Sequence, residues 1–296
     1  MFEGHRVVPI IPAGRALTMS ILIDHLRRNR PLVDEVQVWL NTDDDQTDDR
    51  NWLLSLPRLL PDFVTLKEHP NPDRVLRPKQ LNTGQFYQYT QDPDTIYVRF
   101  DDDIVYLAPN YFENLLRFRL DNPQYLLVFG DIWNNAVVSW VHQDLGHIDR
   151  EHGIVQSPYC MDLVGWQSSE FAEYIHRLLL GHIGEWTVGS LAYDRYELTD
   201  AHRFSISNFC FFGKDCVEWG GPTPEDDEEI FLTEHYPRDK GKLNAICGSA
   251  LVSHFSFFAQ RPHLLTTDIL DQYREIASQM LSKDYYRLLG VASSGS

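Results

Sequence analysis

The chain reads as an α/β protein built on a mixed, mostly parallel sheet flanked by helices, and three observations predict it. Short apolar runs rich in branched and aromatic residues alternate with helical patterns through the first half. Between the first two runs, Met19, Leu22, Ile23 and Leu26 fall at i, i+3, i+4 and i+7, which makes one buried helix face. The first, second and fourth runs end in polar residues, and a sheet of this class binds ligands at the carboxyl ends of its strands.

The predicted strands of the first half are Arg6 to Pro12, Glu35 to Leu40, Phe63 to Lys67, Thr95 to Phe100 and Tyr125 to Phe129. Arg77 to Gln85 reads as a helix start before the fourth strand. A further helix opens at Pro109, with Phe112, Leu115, Leu116 and Leu120 on one side; proline suits a first turn, where its missing N–H has no helical partner anyway. From about Val137 the pattern changes to mixed helix and loop. It contains a helix through Phe171, Tyr174, Ile175 and Leu178, a strand over Phe204 to Phe212 and an acidic helix start after Pro224. A strand over Ala250 to Phe258 and a helix through Ile269, Tyr273, Ile276 and Met280 complete it. No internal repeat is visible.

With 296 residues, 43% of them hydrophobic, the chain can bury a substantial core. Its 43 acidic and 26 basic residues give a formal charge of −17, which repels a phosphate backbone and argues against a nucleic-acid partner. An acidic protein that binds a diphosphate needs local compensation, and a divalent cation supplies it compactly. Cys160, Cys210, Cys216 and Cys247 form no Cys-x-x-Cys pair, so no zinc knuckle or thioredoxin motif is written, and a reducing, cytoplasmic setting is expected. No apolar stretch approaches the ~18 residues of a membrane span, and Met1 to Arg6 has no leader-like pattern. Ser293 to Ser296 reads as a flexible end.

The strand tips are where chemistry is expected. They are Pro12-Ala13-Gly14-Arg15, Asn41-Thr42-Asp43-Asp44-Asp45 and Asp101-Asp102-Asp103. The lone Gly14 is far from a Gly-x-Gly-x-x-Gly fingerprint, which argues against a dinucleotide cofactor. Three consecutive carboxylates between apolar strand residues repel one another and raise each other's pKa. A bound cation removes that penalty, and hard oxygen ligands suit Mg²⁺ or Mn²⁺, which keep positions for diphosphate oxygens and water. A solvated acidic turn is the plain alternative. Glu218 to Leu232 is a Gly-rich loop feeding a helix N-terminus with five acids, more than capping and dipole complementarity require. Basic and amide groups at Arg77 to Gln85 suit anion or base recognition at a helix start.

The segment Tyr97-Val98-Arg99-Phe100-Asp101-Asp102-Asp103, followed by the helix at Pro109, resembles the Asp-x-Asp motif of GT-A glycosyltransferases. Trp219-Gly220-Gly221 followed by Glu225-Asp226-Asp227 is similar to the Trp-Gly-Gly-Glu-Asp-Asp segment of β-1,4-galactosyltransferases, with Pro222-Thr223-Pro224 inserted. The resemblance implies a single Rossmann-like GT-A domain over 1–296. Residues 1–136 would bind the nucleotide sugar, 137–290 the acceptor, and 291–296 would be a flexible tail. Asp103 would be the direct metal ligand, Asp101 would face the ribose or the metal, and Asp102 would share either role. Asp226 or Asp227 would be the catalytic base, with Glu225, Trp219 and Gly221 on the acceptor. His254 would return to the metal from a late strand, and Arg261 would reach the diphosphate as a bidentate donor. Lys79 and Asn82 would touch the nucleotide, Asn41 and Asp43 would read uracil and ribose, and Pro12, Ala13, Gly14 and Arg15 would line the same pocket.

The resemblance thus implies a metal-dependent transfer of a sugar from a nucleotide-diphosphate sugar, such as a UDP-sugar, to a hydroxyl of a carbohydrate acceptor, with inversion when an acidic base takes the proton. Two alternatives stay open. A sugar-phosphate nucleotidyltransferase would share the sheet and the metal, and a non-catalytic carbohydrate- or cation-binding module would use the acids only as ligands.

Overall fold

The computed structural model describes residues 1–43, 45–71, 79–199, 202–223 and 227–288. The elements follow the predicted alternation: β1 (Arg6–Ala13), α1 (Ala16–Arg28), β2 (Val36–Leu40), α2 (Thr47–Leu59) and β3 (Val64–Lys67). A 3-10 helix, Lys79–Tyr89, leads into β4 (Thr95–Phe100), β5 (Ile104–Leu107), α3 (Tyr111–Asp121), β6 (Tyr125–Trp133) and α4 (Ala136–Asp144). Then come α5 (Ser169–Gly184), β7 (Arg195–Leu198), β8 (Asn208–Phe212), α6 (Gly213–Trp219) and α7 (Glu228–Ile230). The chain continues through α8 (Tyr236–Lys240), β9 (Leu243–His254), α9 (Arg261–Leu264) and α10 (Ile269–Leu288).

Among the described residues nine strands form one sheet in the order β3-β2-β1-β4-β8-β6-β9-β5, with β7 paired to β9. β3, β2, β1 and β4 are mutually parallel, β8 runs against both β4 and β6, and β6 and β9 return to the first direction. The sheet is mostly parallel, and helices flank it. Strands β1, β2, β4, β6 and β8 are buried along nearly their whole length, as central strands covered on both faces must be. Every parallel strand therefore brings its carboxyl end to one edge, which is where Gly14, Asn41, Asp101, Asn134 and Phe255 begin their loops.

Two differences from the predicted elements have local causes. The strand expected over Phe204 to Phe212 is regular only from Asn208, because Ser207 turns its carbonyl to the Asp101 N–H (2.8 Å). The strand expected from Ala250 starts at Leu243, and its pairing with β6 shifts from Gly130↔Cys247 to Asp131↔Leu251, a bulge that breaks the apolar pattern. Gly130 is required at that shift: a Cβ there would lie 2.5 Å from Asn208 Oδ1, and Asn208 already accepts from Tyr111 and donates to the Arg99 carbonyl.

The end of β9 is anchored from below. His176 of α5 is fully buried, donates through Nε2 to the Phe255 carbonyl (2.8 Å) and accepts at Nδ1 from the Tyr273 hydroxyl of α10 (3.1 Å). Both nitrogens are satisfied in the neutral ring, and burial pulls its pKa from 6.5 down to about 4. In the unfolded chain the ring protonates first, so stability is full above about pH 6.5 and falls as the pH drops toward 4. Between pH 7 and pH 5 this one group should remove about 2 kcal/mol of stability. Thermal melts at the two pH values check it: His176→Gln, which can still donate to the Phe255 carbonyl, should show a shallower decline.

The four cysteines are free and buried. Among the described residues, no helix is long and apolar enough to cross a membrane.

Candidate functional site

Asp101, Asp102 and Asp103 form the turn between β4 and β5. The Asp101 N–H is held by the Ser207 carbonyl, and the Ile104 N–H donates back to the Asp101 carbonyl. Because β5 pairs antiparallel with β9 at Ile104↔His254, and the Phe255 N–H donates to the Asp103 carbonyl (2.8 Å), His254 stands beside the turn. One ligand atom from each of Asp101, Asp103 and His254 fits within a mutual 4.8 Å.

The three aspartates face different ways. Asp102 turns inward: Oδ2 accepts from the N–H groups of Gly14 (2.7 Å) and Arg15 (2.8 Å), and Oδ1 pairs with the Arg15 guanidinium. It therefore clasps the loop after β1 to the turn after β4. Asp103 is also buried, and its Oδ2 takes Arg15 Nη1 at 2.7 Å and Arg261 Nη2 at 3.2 Å. Its Oδ1 faces His254 Nε2 at 3.3 Å. Asp101 is partly exposed and pairs with Arg99 (2.6 Å).

Burial pushes the Asp103 carboxyl up, but Arg15, His254 and Arg261 outweigh it and hold the group well below the usual carboxylate range. Burial opposes a charged His254 ring, and Asp103 more than offsets this, so its pKa is raised. Its Nδ1 lies 3.4 Å from the Asn134 carbonyl. A proton on Nδ1 directed there leaves the Nε2 lone pair facing two carboxylates, so three acceptors converge, and either a second ring proton or a cation must lie among them. Two oxygens and an imidazole nitrogen suit Mn²⁺ or Mg²⁺, with further positions left for a ligand's oxygens. These residues therefore fit such an ion.

The convergence opens onto a cleft of about 320 Å³, whose charged walls are Arg15, Asp101, Asp103, Arg203, Glu229, His254 and Arg261. Trp166, Phe257 and Phe258 supply aromatic surface, and Ser205, Ser207 and Ser256 supply hydroxyls. A larger groove of about 710 Å³ lies between α5, α10 and the β9 bulge, but it is mostly apolar, with Glu275 and Lys283 as its charged groups. The smaller cleft is where ionisable side chains meet.

Other predicted residues are distributed as follows. Pro12 and Ala13 end β1, and the Asn41 N–H donates to the Ala13 carbonyl (3.0 Å), so the tips after β1 and β2 are adjacent. The Asp43 N–H donates to Gln46 Oε1, whose amide nitrogen donates to the Gly14 carbonyl. Asn82 is buried. Lys79 opens the 3-10 helix, and its side chain lies outside the described residues, as do Glu225 and Asp226. Trp219 is buried against Tyr87 and Phe211 and donates to the Gly221 carbonyl (2.6 Å). Gly221 has φ +81°, a left-handed conformation that glycine adopts without strain. Asp227 accepts from the Ile230 N–H at the start of α7 and pairs with Arg203 (2.9 Å). Among the other tryptophans, Trp133 is buried, Trp140 packs on Tyr196 and Trp186 lines the larger groove.

Arg203 carried no expectation from the sequence, and Glu228 and Glu229 stood there only among the five acids from Glu225 to Glu229, any of which could be the base. Arg203 pairs with both Asp227 and Glu229, and Glu229 presents its carboxylate to the cleft, with burial raising its pKa against the pull of Arg203. Glu228 points the other way, into a buried pair with Arg99 (2.8 Å). The helical alternation of Glu228 and Glu229 was the available signal: neighbours on a helix project in different directions.

No family model matches the chain, and no curated protein matches it. Among solved structures, a mycobacterial protein aligns over 99% of this chain and 77% of its own, at 15% identity and TM-score 0.47. CMP:2-keto-3-deoxy-manno-octonic acid synthetase, complexed with CTP, aligns over 93% of this chain and 99% of its own, at 10% identity and TM-score 0.45. Glucosyl-3-phosphoglycerate synthase from Mycobacterium tuberculosis, in complex with Mn²⁺, UDP and glucosyl-3-phosphoglycerate, aligns over 62% and 67%, at 18% identity and TM-score 0.35. All three scores lie below 0.5, and the reading of the site rests on its own geometry.

Proposed function

We propose that the protein is a metal-dependent glycosyltransferase of the GT-A type, which takes a nucleotide-diphosphate sugar, a UDP-sugar in the first instance, and transfers the sugar to a hydroxyl of a carbohydrate acceptor. The observation that carries this reading is the convergence of Asp101, Asp103 and His254, with the buried Asp103 Oδ1 3.3 Å from His254 Nε2, at the strand edge of an α/β sheet and on the wall of a cleft. Asp101, Asp103 and His254 would hold Mn²⁺ or Mg²⁺, a Lewis acid that offsets the charge growing on a departing diphosphate.

The chain's own groups account for the rest. Arg15 and Arg261, each about one-third exposed on the cleft, are placed to bind diphosphate oxygens. Trp166 and Phe257, with ring centroids 6.0 Å apart, offer faces for a sugar ring. The acceptor oxygen bonds to the anomeric carbon as the bond to the diphosphate breaks, and the hydroxyl proton passes to a carboxylate, which gives inversion. Among the described acids after the Gly-Gly loop, Glu229 lines the cleft, so it takes the base role here in preference to Asp227, which caps α7.

A panel of nucleotide sugars, each with Mn²⁺ and with chelator, tests the reading. One UDP-sugar should raise the melting temperature with Mn²⁺ and not with chelator, and should be slowly hydrolysed to UDP. Stabilisation by a nucleoside triphosphate alone, with sugar 1-phosphate consumed, would point to a nucleotidyltransferase. Absence of any Mn²⁺-dependent response would remove the metal from the scheme.

A further inference from the structure

The two oxygens of Asp103 face different groups. Its Oδ1 belongs to the convergence with Asp101 and His254, while its Oδ2 is shared by Arg15 and Arg261. Arg261 does not reach it freely: Nε donates to Ser256 Oγ (3.1 Å) and Nη2 to the Ser256 carbonyl (3.3 Å), which hold the guanidinium against the aspartate. Arg99 supplies a third guanidinium on Asp101 and Glu228. Four carboxylates, Asp101, Asp102, Asp103 and Glu228, thus face three guanidinium groups, and the cluster is close to neutral by its own residues. Burial and the neighbouring Arg15 charge also pull the Arg261 pKa below its ordinary value, as expected for a cation held among cations.

We infer that Arg15 and Arg261 act as electrostatic gatekeepers for the metal. They repel a divalent ion that arrives alone, and they admit it when a diphosphate arrives with it. This rests on the reading of the site given above. A double positive charge added to a nearly neutral, half-buried cluster meets two guanidinium groups across Asp103, and Asp103 has to be shared with them. The negative charges of the diphosphate reverse the balance, because they give both arginines an anion to pair with and add oxygen ligands for the ion. Ion and diphosphate then each strengthen the other's binding by the same factor, since coupling between two ligands is reciprocal. The site would remain closed to stray divalent cations and would load only as ion plus substrate.

The test measures Mn²⁺ binding by the loss of the free-ion paramagnetic resonance signal, with and without UDP, for the wild type, Arg261→Gln and Arg261→Lys. In the wild type Mn²⁺ alone should bind weakly and UDP should tighten it strongly. Arg261→Gln should bind Mn²⁺ alone about tenfold more tightly, the scale of repulsion between a single and a double positive charge several ångströms apart in water. The same variant should lose about tenfold of the tightening by UDP, whereas Arg261→Lys, which keeps the charge, should bind Mn²⁺ alone as weakly as the wild type. Unchanged or weaker Mn²⁺ binding in Arg261→Gln, or full tightening by UDP in that variant, overturns the inference while leaving the transferase reading standing. Failure of the wild type to bind Mn²⁺ under either condition overturns both. Unchanged circular dichroism of each variant establishes that its fold is intact.

Discussion

Asp103→Asn should lower Mn²⁺-dependent turnover of the nucleotide sugar by on the order of 10³-fold, because a Lewis acid supplies several kcal/mol and each ~1.4 kcal/mol is a tenfold change in rate. The substitution keeps shape and removes charge. Oδ1, the oxygen that faces Asp101 and His254, becomes half of an amide, and the pull that raises the His254 pKa disappears with the charge. The loss should appear in ion binding as well as in rate. Glu229→Gln makes the contrast: it should cost roughly 10² to 10⁴ in transfer, the range of a general base, with Mn²⁺ and UDP binding retained. Rate assays paired with Mn²⁺ titrations separate the two variants. Equal ion affinity in Asp103→Asn and wild type would sink the metal assignment, and undiminished transfer in Glu229→Gln would return the base role to Asp226 or Asp227.

Arg99→Met carries the largest expected effect on stability. Arg99 lies inside β4 with 5% of its side chain exposed, and it holds Asp101 on one side, Glu228 on the other and the Ile206 carbonyl between them. Breaking a buried pair from one side leaves an uncompensated charge, which typically removes about 3 to 5 kcal/mol. For a chain of this size that lowers the melting temperature by on the order of 10 °C. Adding Glu228→Gln to Arg99→Met should restore part of the loss, since both partners of the buried pair are then uncharged. Thermal melts of the two single variants and the double variant read the coupling directly. Strict additivity would show that the pair is not what holds β4 to the segment after the Gly-Gly loop.

Much of the fold was legible because the strands that matter most are buried on both faces and therefore continuously apolar. Thr95 to Phe100 was placed to the residue, and α1, α5 and α10 followed from their apolar spacing. β7 was missed because Arg195–Leu198 lies at the margin of the sheet and buries only Leu198. The first half of β9 was missed because Asn244, Gly248 and Ser249 interrupt its hydrophobic pattern, although the bulge there buries most of them. In the site, adjacent residues were visible and distant partnerships were not. Nothing local distinguishes Asp102 from its neighbours, yet it clasps Gly14 and Arg15 across 88 and 87 residues. Likewise, only the folded chain shows that Glu228 turns to Arg99, 129 residues away, while Glu229 turns to the cleft.

The clasp between Asp102 and the loop after β1, and the reach of Arg261 to Asp103 across 158 residues, bear on when the protein becomes competent. A ribosome delivers Arg15 early and Arg261 late, so the full set of contacts cannot exist until most of the chain has emerged. Contacts of such long sequence separation form after local structure has already been committed. On the proposed reading the ion would meet a binding face already completed by these contacts, so removing it with chelator should abolish turnover and leave the melting temperature of the free protein unchanged.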